Sequence, residues 1–254
     1  MPRSVSVVRC ACASRLQLGV VVRRFVLFDV DGTLVRAGEA GPASFDRAVA
    51  SVLGVTVTER PHMAGKTDHL IVGEYLESLG VARTDQLMAA LLDALADALA
   101  EADRSGELRA GGSVLPGVND LLKCLADDDR VLVSLLTGNV VRNAKRKMDV
   151  FGLGAWFDFE VGAYGSDHHD RNCLVPVALG RLRDRRDVTL DGSDVWVIGD
   201  TPRDLACARA AGVRCLLVAT GGYTFGELES LGADATMADL SDTDTVSKLL
   251  TGDL

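Results

Sequence analysis

Two carboxylates one residue apart, Asp29 and Asp31, are followed at once by Gly32 and Thr33 and preceded by the apolar run Phe25-Val26-Leu27-Phe28. Two later apolar runs end in comparable groups. Residues 131–136 lead into Thr137-Gly138-Asn139, and residues 195–198 into Gly199-Asp200-Thr201-Pro202-Arg203-Asp204. Asp29 and Asp200 are hard oxygen donors of the kind Mg²⁺ takes, alongside carbonyls, water and substrate phosphate. Thr137, with the free amides at the start of the following helix around Gly138 and Asn139, makes an anion site, because a helix N-terminus carries unpaired N–H groups and partial positive charge. A metal, a phosphate cradle and a carboxylate able to attack phosphorus are the ingredients of phosphoryl transfer. Asp and Gly also build ordinary solvated turns; recurrence at three run ends is what favours chemistry.

These groups meet only if the runs are parallel strands of one sheet, whose C-terminal ends then share an edge. Each run is apolar but for Ser134, as in a strand buried on both faces. From Pro116 onward helices at 117–126, 139–150, 172–186 and 202–211 alternate with strands at 131–136, 157–161, 195–198 and 213–218. Such alternation predicts a parallel sheet with helices on both faces. The stretch between Leu34 and Pro116 has a different texture. After a polar, glycine-containing segment at 36–41, residues 43–53, 67–79 and 84–102 read as helices with no strand signal between them. The last has Leu87, Leu91, Leu95 and Leu99 at four-residue spacing, with Thr84 suited to cap its start. The expected architecture is therefore α/β: a doubly wound parallel-sheet core of residues 23–38 and 113–254, with an all-α insert of residues 39–112 after the first strand.

A chain of 254 residues can bury a sizeable core. Its formal charge of -9 excludes a nucleic-acid binder working through a broad basic face. No apolar run is long enough to span a bilayer, so no membrane partner is expected; a small molecule is, and nothing in the pattern speaks to oligomeric state. The first 24 residues carry five arginines and no acid, leaving 22 basic against 36 acidic groups in the rest. Residues 1–22 are expected to be a poorly ordered extension, either an organellar targeting segment or the product of an upstream start; without targeting, the expected location is cytoplasmic. The six cysteines form no CxxC pair, which suits a reduced protein. Adjacent His168 and His169 lie in a polar loop and read as solvated. A Gly-x-Gly-x-x-Gly fingerprint is missing after the first strand, so dinucleotide binding is not expected.

With Asp29-Val30-Asp31-Gly32-Thr33, Thr137-Gly138-Asn139 and Gly199-Asp200 through Asp204 in this order, the chain resembles the haloacid dehalogenase-like (HAD) superfamily, in its phosphoglycolate-phosphatase-like branch with a helical cap. The resemblance covers residues from about Phe25 to the C-terminus. It implies that Asp29 is a nucleophile that becomes an aspartyl-phosphate. Asp31 would protonate the leaving alcohol, then activate water, its backbone carbonyl joining the metal shell. Thr137 would hydrogen-bond the transferring phosphoryl group. Asp200 would hold Mg²⁺, with Asp204 a further ligand or an acceptor behind the ligands. The acid at position 31 favours phosphate-ester hydrolysis over carbon–halogen cleavage. A sugar phosphomutase of the same fold and a binding module without turnover are the alternatives.

The family usually places a lysine in the loop before the helix that precedes the Asp200 strand. The segment Gly165 to Asn172 has none, and Arg171 is the expected substitute, able to bridge phosphate oxygens and carboxylates in a forked geometry. Lys145 and Lys147 are rivals, but they lie six and eight residues past Asn139, roughly 9–12 Å along a helix, and are expected to fall short. In the insert, Lys66 is a candidate to meet a substrate carboxylate or phosphate; a helix start capped by Thr67 explains the same residues equally well. The expected enzyme is a Mg²⁺-dependent phosphatase of small phosphorylated metabolites.

Overall fold

The structure, a computed structural model, describes residues 21–252. Residues 1–20 of the arginine-rich stretch, Cys10 and Cys12 among them, lie outside the described residues, while Val22 is already buried against the core. Strand β1 (Arg24–Phe28) is followed by the two-residue β2 (Val35–Arg36). Helices α1 (Ala40–Leu53), α2 (Asp68–Ser78), α3 (Asp85–Arg104) and α4 (Glu107–Gly111) come next. The chain returns through β3 (Ser113–Val114), α5 (Val118–Asp127), β4 (Val131–Thr137) and α6 (Val141–Val150). Then follow β5 (Ala163–Tyr164), α7 (Leu174–Arg186), β6 (Val195–Gly199) and α8 (Pro202–Ala211). Last come β7 (Arg214–Val218), α9 (Phe225–Glu229), β8 (Ala235–Met237) and α10 (Thr243–Thr251).

Six strands form one sheet in the order β5-β4-β1-β6-β7-β8, and every neighbouring pair is parallel. Side chains alternate faces along a strand, and the apolar residues of the sheet divide accordingly. Val26, Phe28, Val133, Leu135, Trp196 and Ile198 pack with α5, α6 and α10. Phe25, Leu27, Leu132, Leu136, Val195 and Val197 pack with α7 and α8. Phe25 through Phe28 have no solvent exposure at all. Burying a large aliphatic or aromatic side chain contributes about 1.5–3 kcal/mol, so the two clusters hold the central strands from both sides and fix their ends along one edge.

Helices α1 to α4 lie between β2 and β3, which pair antiparallel and bring the two ends of the helical segment together. Thr67 and Thr84 cap α2 and α3, their hydroxyl oxygens accepting the Leu70 and Leu87 N–H groups. Leu91, Leu95 and Leu99 of the predicted stripe are buried, with Leu91 and Leu95 packing against Phe45, Ile71 and Tyr75.

The strand predicted at 157–161 does not form. The Asp158 carbonyl accepts the Ser134 hydroxyl at 2.6 Å, and its carboxylate accepts the Glu160 N–H at 3.1 Å and pairs with Arg186 at 2.7 Å. The Ser134 bond, with the Asp158 N–H donated to the Val133 carbonyl at 3.0 Å, ties Asp158 to β4, but the chain turns at 159–160 and ladder pairing begins only at β5, opposite Leu136 and Thr137. Strand β8, three residues long, was too short to register in the apolar pattern. Among the described residues no helix is long and apolar enough to cross a membrane.

Candidate active site

Parallel pairing of β1 with β4 and β6 sets Phe28 beside Leu135 and Ile198. The residues just past these positions open into a cavity of about 470 Å³ between the sheet edge and helices α1 to α3. Asp29, Asp31, Thr137, Gly138, Asn139, Arg171 and Asp200 all line it, as does Lys66 from the helical segment. Asp204, fully buried, stands just behind.

Asp29 ends β1 with its N–H donated to the Ile198 carbonyl at 2.8 Å, and its carboxylate lies 3.2 Å from the Arg171 guanidinium. Burial pushes its pKa up to about 6 against the pull of Arg171. Asp200 accepts the Thr33 hydroxyl at 3.2 Å, and burial, reinforced by the charges of Asp29 and Asp204, pushes it up to about 8. Gly32 sits at φ +85°, and a Cβ there would fall on the Asp200 carboxylate, so only glycine lets the two loops approach. Asp29, Asp200 and Asp204 each offer an oxygen within 4.8 Å of the others.

Arg171 opens a short 3₁₀ turn (Arg171–Cys173) with its side chain buried. It donates to Asp204 at 2.5 Å as well as pairing with Asp29. Burial works against its charge, but the two carboxylates outweigh it and keep the guanidinium firmly protonated. Its Nε has no partner. The other Asp204 oxygen accepts the Thr201 N–H at 3.0 Å and hydroxyl at 2.7 Å, closing a capping box at the start of α8. Both Asp204 oxygens are thus engaged by protein donors. Arg171 pairs with Asp29 and Asp204 but not with Asp200, and among the described residues no second cation is paired with these three buried carboxylates. That donor set fits a divalent, oxygen-seeking ion such as Mg²⁺, whose charge would offset the repulsion that raises Asp200.

A second network fixes Asp31. Asn139 donates its amide to Asp31 at 2.8 Å and to the Thr137 hydroxyl oxygen at 2.8 Å, leaving the Thr137 proton for a further acceptor. Lys147 donates to Asp31 at 2.6 Å and to the Asn139 carbonyl oxygen at 2.7 Å. The expectation that Lys147 falls short is therefore corrected. Helical side chains lean toward the N-terminus, and a lysine stem recovers the distance counted along the axis. Lys145 points elsewhere, its ammonium 5.5 Å from the centre of the Phe159 ring. The structure thus brings both Arg171 and Lys147 to the site.

Lys66 faces the cavity, but its ammonium is bonded to Glu74 at 2.6 Å. Beside it, Thr67 donates its hydroxyl to the His169 carbonyl at 2.7 Å. Asp68 gives its N–H to the Gly138 carbonyl at 2.7 Å and accepts the Val140 N–H at 2.7 Å, where α6 begins. Burial pushes Asp68 up to about 7, with Lys147 pulling it down. Gly138 is pressed so closely by Lys66 and Thr67 that a Cβ would overlap the Lys66 carbonyl. Asp68 and Asn143 also line the cavity; the sequence places Asp68 in the loop with Lys66 without giving it a role of its own, and does not single out Asn143. Asp68 reads as an ordinary acid in the first turn of a helix. For Asn143 the available signal was its position four residues before Lys147 and four after Asn139, on one helix face. His168 and His169 stack on each other at 4.5 Å and line a separate groove with His69. Cys124, Cys173, Cys207 and Cys215 are free thiols.

The family model described as haloacid dehalogenase-like hydrolase matches residues 26–209. Phosphoglycolate phosphatase 1 of Pseudomonas aeruginosa is 30% identical over 218 residues, covering 80% of this chain and 71% of the relative. The phosphoglycolate phosphatase of Rhodospirillum rubrum is 29% identical over 221 residues, covering 85% and 87%. Among solved structures, CbbY from Rhodobacter sphaeroides in complex with phosphate superposes with a TM-score of 0.64 at 19% identity, covering 87% of this chain and 96% of that one.

Proposed function

The chain belongs to the haloacid dehalogenase-like hydrolase family, and from that premise we propose that this phosphatase hydrolyses small phosphorylated metabolites with Mg²⁺, through an aspartyl-phosphate on Asp29. The observation that carries the reading is the meeting of Asp29, Asp31, Thr137, Lys147, Arg171 and Asp200 around one cavity at the C-terminal edge of the sheet.

Asp29 attacks phosphorus in line and expels the alcohol. Asp31, held by Asn139 and Lys147, protonates the leaving oxygen and later takes a proton from the water that attacks the phosphoenzyme. Thr137 and the amides after it hold the phosphoryl oxygens, and Arg171 and Lys147 offset the charge that grows on them. Asp29, the Asp31 carbonyl and Asp200 would hold Mg²⁺, while Asp204 anchors Arg171 instead of binding the ion. When bound, Mg²⁺ draws charge from the phosphoryl group and orients it. Residues 39–112 act as a cap over the core of 23–38 and 113–254, excluding bulk water. Phosphoglycolate is the substrate that the names of the relatives suggest.

The test is phosphate release from a panel of phosphomonoesters with and without Mg²⁺. The expected result is Mg²⁺-dependent release by the wild type, with none by Asp29→Asn. Release by Asp29→Asn at the wild-type rate removes the nucleophile assignment. Product analysis with a hexose phosphate separates hydrolysis from isomerisation.

A further inference from the structure

Resting on the phosphatase reading above, we propose that Arg36 is a specificity-determining residue, whose guanidinium binds an acidic group, a carboxylate or a second phosphoryl, on the alcohol half of the substrate. Among the described residues four cations line the cavity: Arg36, Lys66, Lys147 and Arg171. Three of them are neutralised by carboxylates of the chain itself. Lys147 bonds Asp31, Arg171 bonds Asp29 and Asp204, and Lys66, the candidate from the helical segment, bonds Glu74 at 2.6 Å. Among the described residues Arg36 has no carboxylate partner, and its recorded bond is from Nη2 to the Thr220 carbonyl at 3.0 Å. A guanidinium carries five N–H donors in a planar fork that matches a carboxylate or phosphoryl group. The rest of that fork is open to a ligand.

The backbone holds this side chain in place. Arg36 is exposed on β2, opposite Ser113 of β3, where the helical segment joins the core. Its head is tethered to the turn that follows β7. There the Thr220 hydroxyl donates to the Gly32 carbonyl at 2.5 Å, and Gly221 lies so near Asp200 that a Cβ would fall on its carboxylate. Since β6 and β7 lie on one side of β1 and β4 on the other, the guanidinium is anchored on the Asp200 side of the site, away from Asn139 and Lys147.

One cavity of about 470 Å³ runs from Asp29 and Thr137 to Arg36 and Gly222, within the range that encloses drug-sized ligands. A phosphoryl group over Asp29 therefore leaves room for an alcohol half that extends to Arg36. An acid there gains charge-assisted hydrogen bonds, roughly twice as strong as neutral ones, from a cation that no carboxylate of the chain has already satisfied. Asp68, the lining acid from the helical segment, gives an oxygen to the Val140 N–H at 2.7 Å on the far side of the site. A purely structural Arg36, pinning the Thr220 turn, would serve charged and uncharged ligands alike, and that difference is measurable.

Calorimetric titration of the full chain with phosphonates, at a fixed excess of Mg²⁺, tests this without requiring turnover. Carboxymethyl-, 2-carboxyethyl- and 3-carboxypropylphosphonate are each compared with the amide of the same length, which keeps the shape and removes the charge. Propane-1,3-diphosphonate is compared with propylphosphonate. In the wild type an acid is expected to bind about 10–100-fold tighter than its neutral counterpart at one length or more, and the larger ratio tells whether carboxylate or phosphoryl is the group read. In Arg36→Met that ratio is expected to fall to about one, and Arg36→Lys, which keeps the charge without the fork, to recover part of it. A wild type that holds no acid more tightly than its neutral counterpart overturns the proposal. So does a ratio that survives in Arg36→Met, an equal loss for both ligands included, since a structural contact with the Thr220 turn gives that result. Phosphate release from the phosphomonoester panel is read separately: release from none of its members defeats the phosphatase reading, while the phosphonate ratios still decide the role of Arg36.

Discussion

Asp200→Asn should stabilise the protein once metal is stripped by a chelator. In the folded chain Asp200 is pushed up to about 8, against 3.8 for an ordinary carboxyl, first by burial and then by the Asp29 and Asp204 charges. Below pH 4 both folded and unfolded states hold the proton, and nothing is lost. Between about pH 4 and pH 8 the unfolded chain has released its proton while the folded protein retains it. Stability then falls as pH rises, by up to about 1.4 kcal/mol per pH unit for one such group. From pH 5 to pH 8 the loss amounts to about 2–4 kcal/mol once coupling to Asp29 and local relaxation are allowed for. Asparagine cannot ionise and escapes this loss. For a chain of this size 1 kcal/mol moves the melting temperature by about 2–4 °C. The metal-free variant should therefore melt roughly 5–15 °C above the metal-free wild type at pH 8, and only a few degrees above it at pH 5. Saturating Mg²⁺ should raise the wild-type melting temperature most at pH 8 and barely move the variant. Differential scanning calorimetry across this range is the assay. A gap that is absent at pH 8, or equal at both pH values, would refute the electrostatic account of the acid cluster.

Three further outcomes are expected. Asp29→Asn should lower kcat by at least about 10³-fold, as loss of a nucleophile does, with the circular dichroism spectrum unchanged; steady-state phosphate release checks it. Lys147→Met should lower kcat by about 10²-fold or more through loss of the group that holds Asp31, with a smaller change in KM; kinetics indistinguishable from wild type would remove Lys147 from the site. Gly138→Ala places a Cβ on the Lys66 carbonyl, so denaturant unfolding should show a loss of about 1–3 kcal/mol, with kcat/KM falling alongside it.

The sheet was legible because its buried parallel strands are written as nearly uninterrupted apolar runs, and Asp29 and Asp200 because each stands within two residues of the end of such a run. Phe25 to Phe28 and Asp29 illustrate both. Alternation of helix and strand predicted the doubly wound layering that Val26 and Leu27, on opposite faces, display. What escaped notice depends on side-chain reach and on contacts between distant segments. Lys147 was judged by the position of its backbone, whereas its ammonium lies several ångströms back toward the start of its helix, at Asp31. Asp68 meets Val140 across 72 positions of sequence, a contact no local pattern encodes. At 157–161 apolar residues alternate with acids much as in a half-buried strand, and only the pairing of Asp158 with Arg186 tells that the chain turns there.

Three hydrogen bonds fasten the loop at Thr67 and Asp68 to the segments that flank the phosphate cradle: Thr67 to the His169 carbonyl, and Asp68 to Gly138 and Val140. Gly138 and Asn139 therefore have the catalytic floor on one side and the roof on the other. Any swing of helices α1 to α4 that parts this loop from those segments must undo the three bonds, releasing the Gly138 and His169 carbonyls and the Val140 N–H. Movement of the helices and the geometry around Gly138 and Asn139 are then coupled through a single joint.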